Sequence, residues 1–66
     1  MTIHFEIPGM TCGGCARSIT RAIQGLDAEA KVETDIPVRR VSVESRADRA
    51  ALVTAIREAG YAARPI

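Results

Sequence analysis

The sequence contains no tryptophan, only one tyrosine and only one phenylalanine, and its formal net charge is only +1. Proteins that bind nucleic acid generally present a basic patch, and those that bind single strands also stack bases on aromatic side chains. The composition provides neither feature, so we expect no nucleic-acid partner. The apolar runs are far shorter than the roughly 20 residues that a membrane-spanning helix needs, so we also expect no direct membrane insertion.

Cysteine is scarce as well, because the chain has only Cys12 and Cys15. Residues 1–6 lack the basic and apolar segments of a signal peptide, which favours a cytoplasmic location. Cytosolic thiols are kept reduced, so such a pair is more typical of metal binding or redox chemistry than of a structural disulfide. The length of 66 residues and the hydrophobic content of 47% predict a single domain over residues 1–66.

The first half of the chain predicts a strand followed by an amphipathic helix. Apolar and polar residues alternate from residue 3 to residue 7, which is typical of a half-buried strand. From Cys15 onward the apolar residues recur at spacings of three and four, which predicts a helix that ends with Gly25 as its C′ glycine. The apolar face of this helix contains Ala16, Ile19, Ala22, Ile23 and Leu26.

The second half predicts a β-hairpin, a second helix and a short last strand. Alternating segments at residues 30–36 and 40–44 flank the turn-forming Pro37. Asp48 can cap the start of the second helix, and Gly60 can end it. Pro65 lacks the N–H group that a central strand needs, so the last strand belongs at a sheet edge.

The resulting order, βαββαβ, predicts an α+β fold. Two right-handed β-α-β crossovers place both helices on one face of a four-stranded antiparallel sheet, which is the ferredoxin-like arrangement. The predicted core consists of Ile3, Phe5, Ile19, Ile23, Val41, Val43, Leu52 and Ile56.

Both cysteines belong to a glycine-rich loop between the first predicted strand and the first predicted helix. Its residues are Gly9, Met10, Thr11, Cys12, Gly13, Gly14 and Cys15. Gly13 and Gly14 allow backbone angles that are closed to other residues, so we expect the loop to bring both sulfurs onto one ion. The nearby helix N-terminus should lower the pKa of Cys15, and the thiolate is the metal-binding form. We predict that Cys12 and Cys15 are metal ligands, with a redox dithiol as the alternative.

The loop and its setting resemble the heavy-metal-associated domain family, which includes small copper chaperones and the N-terminal modules of copper-transporting P-type ATPases. The family pattern G-M-T/D-C-x-x-C is matched at residues 9–15, and the later G-Y/F signature is matched by Gly60 and Tyr61. Within the family, the chain looks most similar to stand-alone bacterial and cyanobacterial copper chaperones.

The chemistry of the thiols favours Cu(I) as the bound ion. Two thiolates nearly satisfy a monovalent d¹⁰ ion, whereas Zn²⁺ usually takes four ligands. Zinc-handling relatives carry Asp in place of Thr11, and this chain lacks that carboxylate. Mercury-carrying relatives share the loop, so Hg²⁺ stays open as an alternative, and both Zn²⁺ and Hg²⁺ can bind in vitro.

The resemblance also implies roles for side chains around the cysteines. We expect Met10 to pack in the core and brace the loop, since the corresponding methionine of the family faces inward. We expect Tyr61 to shield the thiolates and to offer a hydrogen bond without ligating, with simple capping of the core as the alternative. Thr11, Gly13 and Gly14 complete the immediate surroundings.

Charged and titratable residues near the loop are harder to interpret. Arg17 and Arg21 lie four residues apart on the first predicted helix, and Arg64 can extend them into a basic rim that attracts an acidic partner. An ordinary solvated helix face is the alternative. His4 lies on the polar face of the first strand, where we expect it to be solvated, and we assign it no role.

The resemblance implies a copper metallochaperone that passes Cu(I) by ligand exchange to the metal-binding domain of a copper P-type ATPase. A copper-responsive regulator is a second class of partner. The motifs of an enzyme are missing, since we find no acid–base pair, activated nucleophile or phosphate loop. An excised ATPase module, a mercury-binding relative and a thiol-disulfide oxidoreductase are the alternatives. We expect a monomer without metal, and two loaded copies can share copper across paired loops.

Overall fold

The computed structural model describes residues 2–66 and contains the six predicted elements. They are β1 (Thr2–Glu6), α1 (Gly13–Leu26), β2 (Lys31–Asp35), β3 (Arg40–Glu44), α2 (Arg49–Glu58) and β4 (Arg64–Pro65). The strands form one antiparallel sheet in the order β2-β3-β1-β4. The prediction of an α+β, ferredoxin-like fold is therefore confirmed.

The strand β1 is central and carries the chain toward the cysteine loop. It pairs with β3 along its whole length, from Thr2 opposite Glu44 to Glu6 opposite Arg40. On its other side it pairs with the short β4, where Pro65 lies opposite Phe5. Because β4 is an edge strand, the predicted edge position of Pro65 is confirmed.

The core lies between the sheet and the two helices. Its fully buried side chains are Phe5, Ile7, Met10, Ile19, Ile23, Val41, Val43, Leu52 and Ile56. Each contributes about 1.5–3 kcal/mol through burial, so this cluster holds the helices on the sheet. Of the eight predicted core residues only Ile3 is partly buried. The opposite face of the sheet is polar, and His4 lies there with its Nδ1 atom 2.9 Å from Ser42 Oγ.

The helix α1 begins two residues earlier than predicted, at Gly13 instead of Cys15. Cys12 is its N-cap: the Sγ atom accepts a hydrogen bond from the Cys15 N–H group at 3.3 Å. The Cys12 carbonyl also accepts the first helical hydrogen bond, from Ala16 at 3.1 Å. Both cysteines therefore belong to the helix N-terminus, which fixes their relative position.

The other end of α1 also departs from the prediction. The helix passes through Gly25 and ends at Leu26, with Asp27 as an extended C-cap whose N–H group binds the Ile23 carbonyl at 2.9 Å. The carboxylate of Asp27 accepts hydrogen bonds from the segment after β3, so tertiary contacts decide where the helix stops. The prediction of Gly25 as the C′ glycine is wrong, and Leu26, predicted on the apolar face, is 46% exposed.

The helix α2 begins and ends where the sequence predicts. Asp48 caps it, and its Oδ1 atom accepts a hydrogen bond from the Ala51 N–H group at 2.8 Å. Gly60 follows its C-terminus with a φ angle of 98°, a conformation that favours glycine. Across residues 2–66, neither helix combines the length and the apolar character needed to cross a bilayer.

The tip of the β2–β3 hairpin lies beside the start of the cysteine loop. Arg39 has a left-handed φ angle of 56°, and its N–H group binds the Ile36 carbonyl at 3.0 Å. Its own carbonyl accepts the Ile7 N–H group at 2.8 Å, and the Ile7 carbonyl accepts the Met10 N–H group at 3.0 Å. These bonds turn the chain out of β1 toward Cys12 and fix where the loop leaves the sheet.

Candidate metal centre

Cys12 and Cys15 bring their sulfur atoms to 2.9 Å from each other at the N-terminus of α1. Both are free thiols, Cys12 exposed and Cys15 half-buried. An ion bonded to both sulfurs at about 2.3 Å would hold them about 3.8 Å apart at tetrahedral angles and about 4.6 Å apart in a linear arrangement. The thiol pair, meaning Cys12 and Cys15, can therefore share one ion after the sulfurs move apart by about 1–2 Å.

The thiol of Cys15 ionises more readily than an ordinary cysteine. Its pKa is lowered to about 7, first by the hydrogen bond with Cys12 and then by the Tyr61 hydroxyl and the Thr11 backbone, while burial acts in the opposite direction. The direction agrees with the prediction, although local hydrogen bonds are the main cause. At neutral pH a large share of Cys15 is therefore thiolate, the form that binds metal.

The glycines between the cysteines do not have the predicted backbone role. Among residues 2–66 the only glycine with a positive φ angle is Gly60, and Gly13 and Gly14 lie in the first turn of α1. A Cβ atom on Gly13 would meet nothing within 4 Å, and one on Gly14 would make an ordinary contact with Cys12 Sγ at 3.8 Å. The prediction that these glycines supply special backbone angles is wrong, because the helix cap brings the sulfurs together. Their small size leaves the sulfurs uncovered.

Met10 and Thr11 precede the thiol pair and face opposite ways. Met10 is fully buried and packs in the core, in agreement with its predicted inward position. Thr11 is exposed, and its backbone interacts with Cys15. The loop is therefore anchored on one side by the core and open to solvent on the other.

Tyr61 reaches the thiol pair from the C-terminus of α2. The Gly60 N–H group binds the Arg57 carbonyl at 2.9 Å, and the Tyr61 N–H group binds the Ile56 carbonyl at 3.2 Å. Together with the positive φ angle of Gly60, these bonds form a Schellman motif. The ring of Tyr61 then lies against Gly9, where an added Cβ atom would be 3.4 Å from its Cδ1 atom.

The phenol of Tyr61 and the thiol of Cys15 shift each other's pKa. This interaction raises the pKa of Tyr61, whereas Ser18, which also interacts with the hydroxyl, opposes the rise. The sequence prediction missed Ser18 and the contact between Gly9 and the ring. The spacing of three residues from Cys15 to Ser18 is a signal that places both on one helix face. Nothing local indicates the contact with Gly9, because it joins distant parts of the chain.

The arginines of the predicted rim do not lie together. Arg17 and Arg21 are exposed on α1, and within residues 2–66 neither forms an ion pair. Arg64 instead pairs with Glu6 at 3.5 Å, and Glu6 points to the polar face of the sheet, opposite the helices. The suggestion that Arg64 extends the rim is therefore wrong, because the sheet separates it from α1.

The thiol pair is the main donor set near the loop. Within residues 2–66 the fold brings together no group of three or more His, Cys, Asp and Glu side chains that could hold a metal ion. His4 lies on the polar face of the sheet, bonded to Ser42.

Comparisons with known proteins agree with this fold. The family model described as the heavy-metal-associated domain matches residues 4–62. The structure of a gold-binding protein superposes with a TM-score of 0.94 at 39% identity, covering 97% of this chain and 98% of that one. A point variant of the copper chaperone Atx1 from Synechocystis PCC6803 superposes with a TM-score of 0.92 at 35% identity, covering 94% and 98%.

A membrane transporter is also related in sequence. Copper-transporting ATPase 2 of Rhizobium meliloti (strain 1021) is 33% identical over 66 residues, which cover 97% of this chain and 8% of the ATPase. The similarity therefore concerns one small part of that relative. Since the family match extends over most of the chain and includes the loop with both thiols, the protein belongs to the heavy-metal-associated domain family.

Proposed function

We propose that this protein is a copper(I) metallochaperone that binds Cu(I) through Cys12 and Cys15. The observation that carries the proposal is the pair of accessible thiols, 2.9 Å apart at a helix N-terminus. The similarity to the copper chaperone Atx1 supports the ion, and the similarity to a copper-transporting ATPase supports the class of partner. The partner is the metal-binding domain of such an ATPase, and a copper-responsive regulator is a second class.

The choice of Cu(I) follows from the donor atoms. Two sulfur ligands suit a soft monovalent ion, whereas structural Zn²⁺ sites are closed by four ligands. The similarity to a gold-binding protein is consistent with a preference for soft ions. Zn²⁺ and Hg²⁺ bind the same pair in vitro, and a mercury-binding relative is the alternative within the family.

Transfer proceeds by ligand exchange without a change of oxidation state. A thiolate of the partner adds to Cu(I) as a third ligand, and one sulfur of this protein then leaves, so the ion is never free. Cys12 is exposed while Cys15 is half-buried, so the partner approaches from the Cys12 side. Such a protein carries its ion and catalyses no reaction.

Competitive titration under anaerobic conditions tests the choice of ion. The protein is titrated with Cu(I), Zn²⁺ and Hg²⁺ against chelators of known affinity, and the loaded protein is then mixed with an ATPase metal-binding domain. We expect tight Cu(I) binding, weak Zn²⁺ binding and rapid transfer. Stronger retention of Zn²⁺ than of Cu(I), or of Hg²⁺ together with no transfer of copper, would contradict the proposal.

Docking to an acidic partner uses Arg17 and Arg21. Replacing both with Glu should slow copper transfer and leave Cu(I) affinity unchanged, because neither arginine touches the thiols and steering charges act mainly on the association rate. Arg49→Glu, at the far end of α2, is a control for the change of charge. Stopped-flow transfer at two ionic strengths should show strong salt dependence for the unmodified protein and little for the double variant. Equal salt dependence in the unmodified protein and the double variant would mean that Arg17 and Arg21 belong to an ordinary solvated face of α1.

A thiol-disulfide oxidoreductase is the second candidate, because a pKa of about 7 for Cys15 is also suited to disulfide exchange. Measurement of the reduction potential separates the two functions. A catalytic dithiol should lie in the range of about −120 to −270 mV and turn over a disulfide substrate, whereas a copper carrier need do neither.

We further propose that residues 1–66 form one domain that acts in the cytoplasm. It is a monomer without metal, and two loaded copies can share copper across their loops. A module of an ATPase would have the same site, so this alternative concerns the setting of the domain. Sedimentation with and without Cu(I) tests the association, and a monomer at every copper ratio would exclude the bridged pair.

A further inference from the structure

The ring of Tyr61 is held beside the thiol pair by two glycines from distant parts of the chain. Gly60 has a φ angle of 98°, and the hydrogen bonds on either side of it aim the next residue at the loop. Gly9 lies on the other side of the ring, where a Cβ atom would approach Tyr61 Cδ1 to 3.4 Å. The position of the ring therefore depends on what occupies these two places.

We infer that Gly60 and Gly9 are positioning residues of the proposed copper site and that they act on copper retention through Tyr61. This inference rests on the proposed function. The ring lies against Gly9 at the start of the loop, and Tyr61 and the half-buried Cys15 both pack against the edge of the core. A displaced ring uncovers this part of the loop, so the ion leaves more quickly.

Gly60 acts through its backbone. A residue with a Cβ atom is strained at a φ angle of 98° and relaxes by rotating the chain at the point from which Tyr61 projects. A Cβ atom at Gly60 would touch nothing within 4 Å, so a substitution here disturbs the conformation and causes no collision. Asn tolerates positive φ angles better than Ala does, so Gly60→Asn should preserve more of the ring position.

Gly9 acts through space. Its neighbour Met10 is fully buried, and the Met10 N–H group is bonded to the Ile7 carbonyl, so the backbone has little freedom to retreat. A methyl group is accommodated as a close contact, but the larger side chain in Gly9→Val must push the ring of Tyr61 aside. This change needs no unusual φ angle, because Gly9 is not among the described residues with positive values.

The experiment uses the one tyrosine as its own probe, since the chain contains no tryptophan. Gly60→Ala, Gly60→Asn and Gly9→Val are made in the natural sequence and in a Tyr61→Ala background. Gly25→Ala is the matched control, because this helical glycine has an ordinary φ angle and open space around its Cβ position. Acrylamide quenching of Tyr61 fluorescence in the metal-free protein reports the ring, and Cu(I) loss to a chelator reports the site.

We expect Gly60→Ala and Gly9→Val to increase quenching of Tyr61 and to accelerate Cu(I) loss by up to about tenfold, the lower end of the range for groups that surround metal ligands. Gly60→Asn should recover part of this loss, and Gly25→Ala should change neither measurement. In the Tyr61→Ala background the same glycine substitutions should have no further effect on Cu(I) loss.

The inference would be overturned if the glycine substitutions accelerated Cu(I) loss equally with and without the Tyr61 ring. Unchanged quenching of Tyr61 in the glycine variants would overturn it as well. If Gly60→Ala does not fold, Gly9→Val alone decides. If the unmodified protein binds no Cu(I), the proposed function fails, and the part of the inference that concerns copper retention fails as well. Quenching in the metal-free variants still shows whether the glycines hold the ring, so the two failures are distinguishable.

Discussion

The two helices begin with the same hydrogen bond made by different atoms. At α2 the acceptor is a carboxylate oxygen of Asp48, 2.8 Å from the N–H group three residues on. At α1 it is the sulfur of Cys12, 3.3 Å from the equivalent N–H group. Neither helix has an acidic residue in its first turn, so the capping atom is the local acceptor at each helix N-terminus.

The two N-caps differ in whether the capping side chain serves only the stability of the fold. Asp is among the strongest N-cap residues, whereas sulfur is a weak acceptor and Cys is not a preferred cap. The cap of α2 therefore serves the fold alone. At α1 a strong cap is replaced by an atom that also binds soft metal ions, which places the proposed ligand at the start of a helix.

The largest expected effect comes from removing a ligand. Cys12→Ser and Cys15→Ser should each weaken Cu(I) binding by more than about a hundredfold, because changes outside the ligand shell already cost 10- to 100-fold in metal sites. The fold should be retained, since Cys12 is exposed and Cys15 is only half-buried and packs against the edge of the core. Chelator competition measures the affinity, and circular dichroism measures the fold. Wild-type affinity in either variant would refute the ligand assignment.

A variant in the N-cap of α2 is the control for the loss of Cu(I) binding. Asp48→Ala should bind Cu(I) as the unmodified protein does, because Asp48 caps the end of α2 remote from Tyr61. A fall in affinity similar to that of the cysteine variants would mean that Cu(I) binding follows overall stability.

The second prediction concerns the ionisation of Cys15, whose folded pKa is about 7. Its alkylation rate by iodoacetamide in the metal-free protein should rise with pH around a midpoint near 7, and Cys12→Ala should move this midpoint upward by removing the main cause. The lowered pKa also means that the thiolate stabilises the fold above the unfolded pKa of about 8.5, and this contribution is lost as the pH falls through 7. A midpoint that is unchanged in Cys12→Ala would exclude Cys12 as the cause.

The third prediction concerns the strong cap. Asp48→Ala should destabilise the protein by about 1 kcal/mol, which corresponds to a fall in Tm of roughly 4–8 °C for a domain of this size. Thermal unfolding measures the change. Asp35→Asn, an exposed change in β2, is a control for the lost charge. An unaltered Tm would show that α2 is held by packing alone.

The smallest expected effect comes from giving α1 the cap of α2. Cys12→Asp should raise the Tm of the metal-free protein by a few degrees, because a carboxylate replaces a weak acceptor and interacts favourably with the helix N-terminus. Cu(I) binding should be lost in the same variant. A lower Tm would mean that sulfur is already the better cap in this position.

The same comparison shows which features the sequence predicts. The caps of α2 are predicted correctly because Asp48 and Gly60 belong to the usual residue types for those positions. Both ends of α1 are mispredicted. Cys12 is not a usual cap, and the stop after Leu26 depends on hydrogen bonds between Asp27 and the segment after β3, which no local pattern reveals.

The candidate site divides in a similar way. The inward position of Met10 is predicted from a short motif without the fold, and the proposed ligands Cys12 and Cys15 rest on the same motif. The contact of Gly9 with Tyr61 and the separation of Arg64 from α1 depend on how distant segments meet. They are properties of the assembled sheet and helices.

The pairing of β4 with β1 decides where the two chain ends lie. β1 runs toward the thiol pair, and β4 runs antiparallel to it, with the N–H group of Ile66 bonded to the His4 carbonyl at 3.0 Å. The start of β1 and the end of β4 therefore both lie away from the thiols. A tether attached at either end would leave the thiol pair unobstructed, so the proposed ligand exchange is compatible with a free domain and with a domain inside a longer chain.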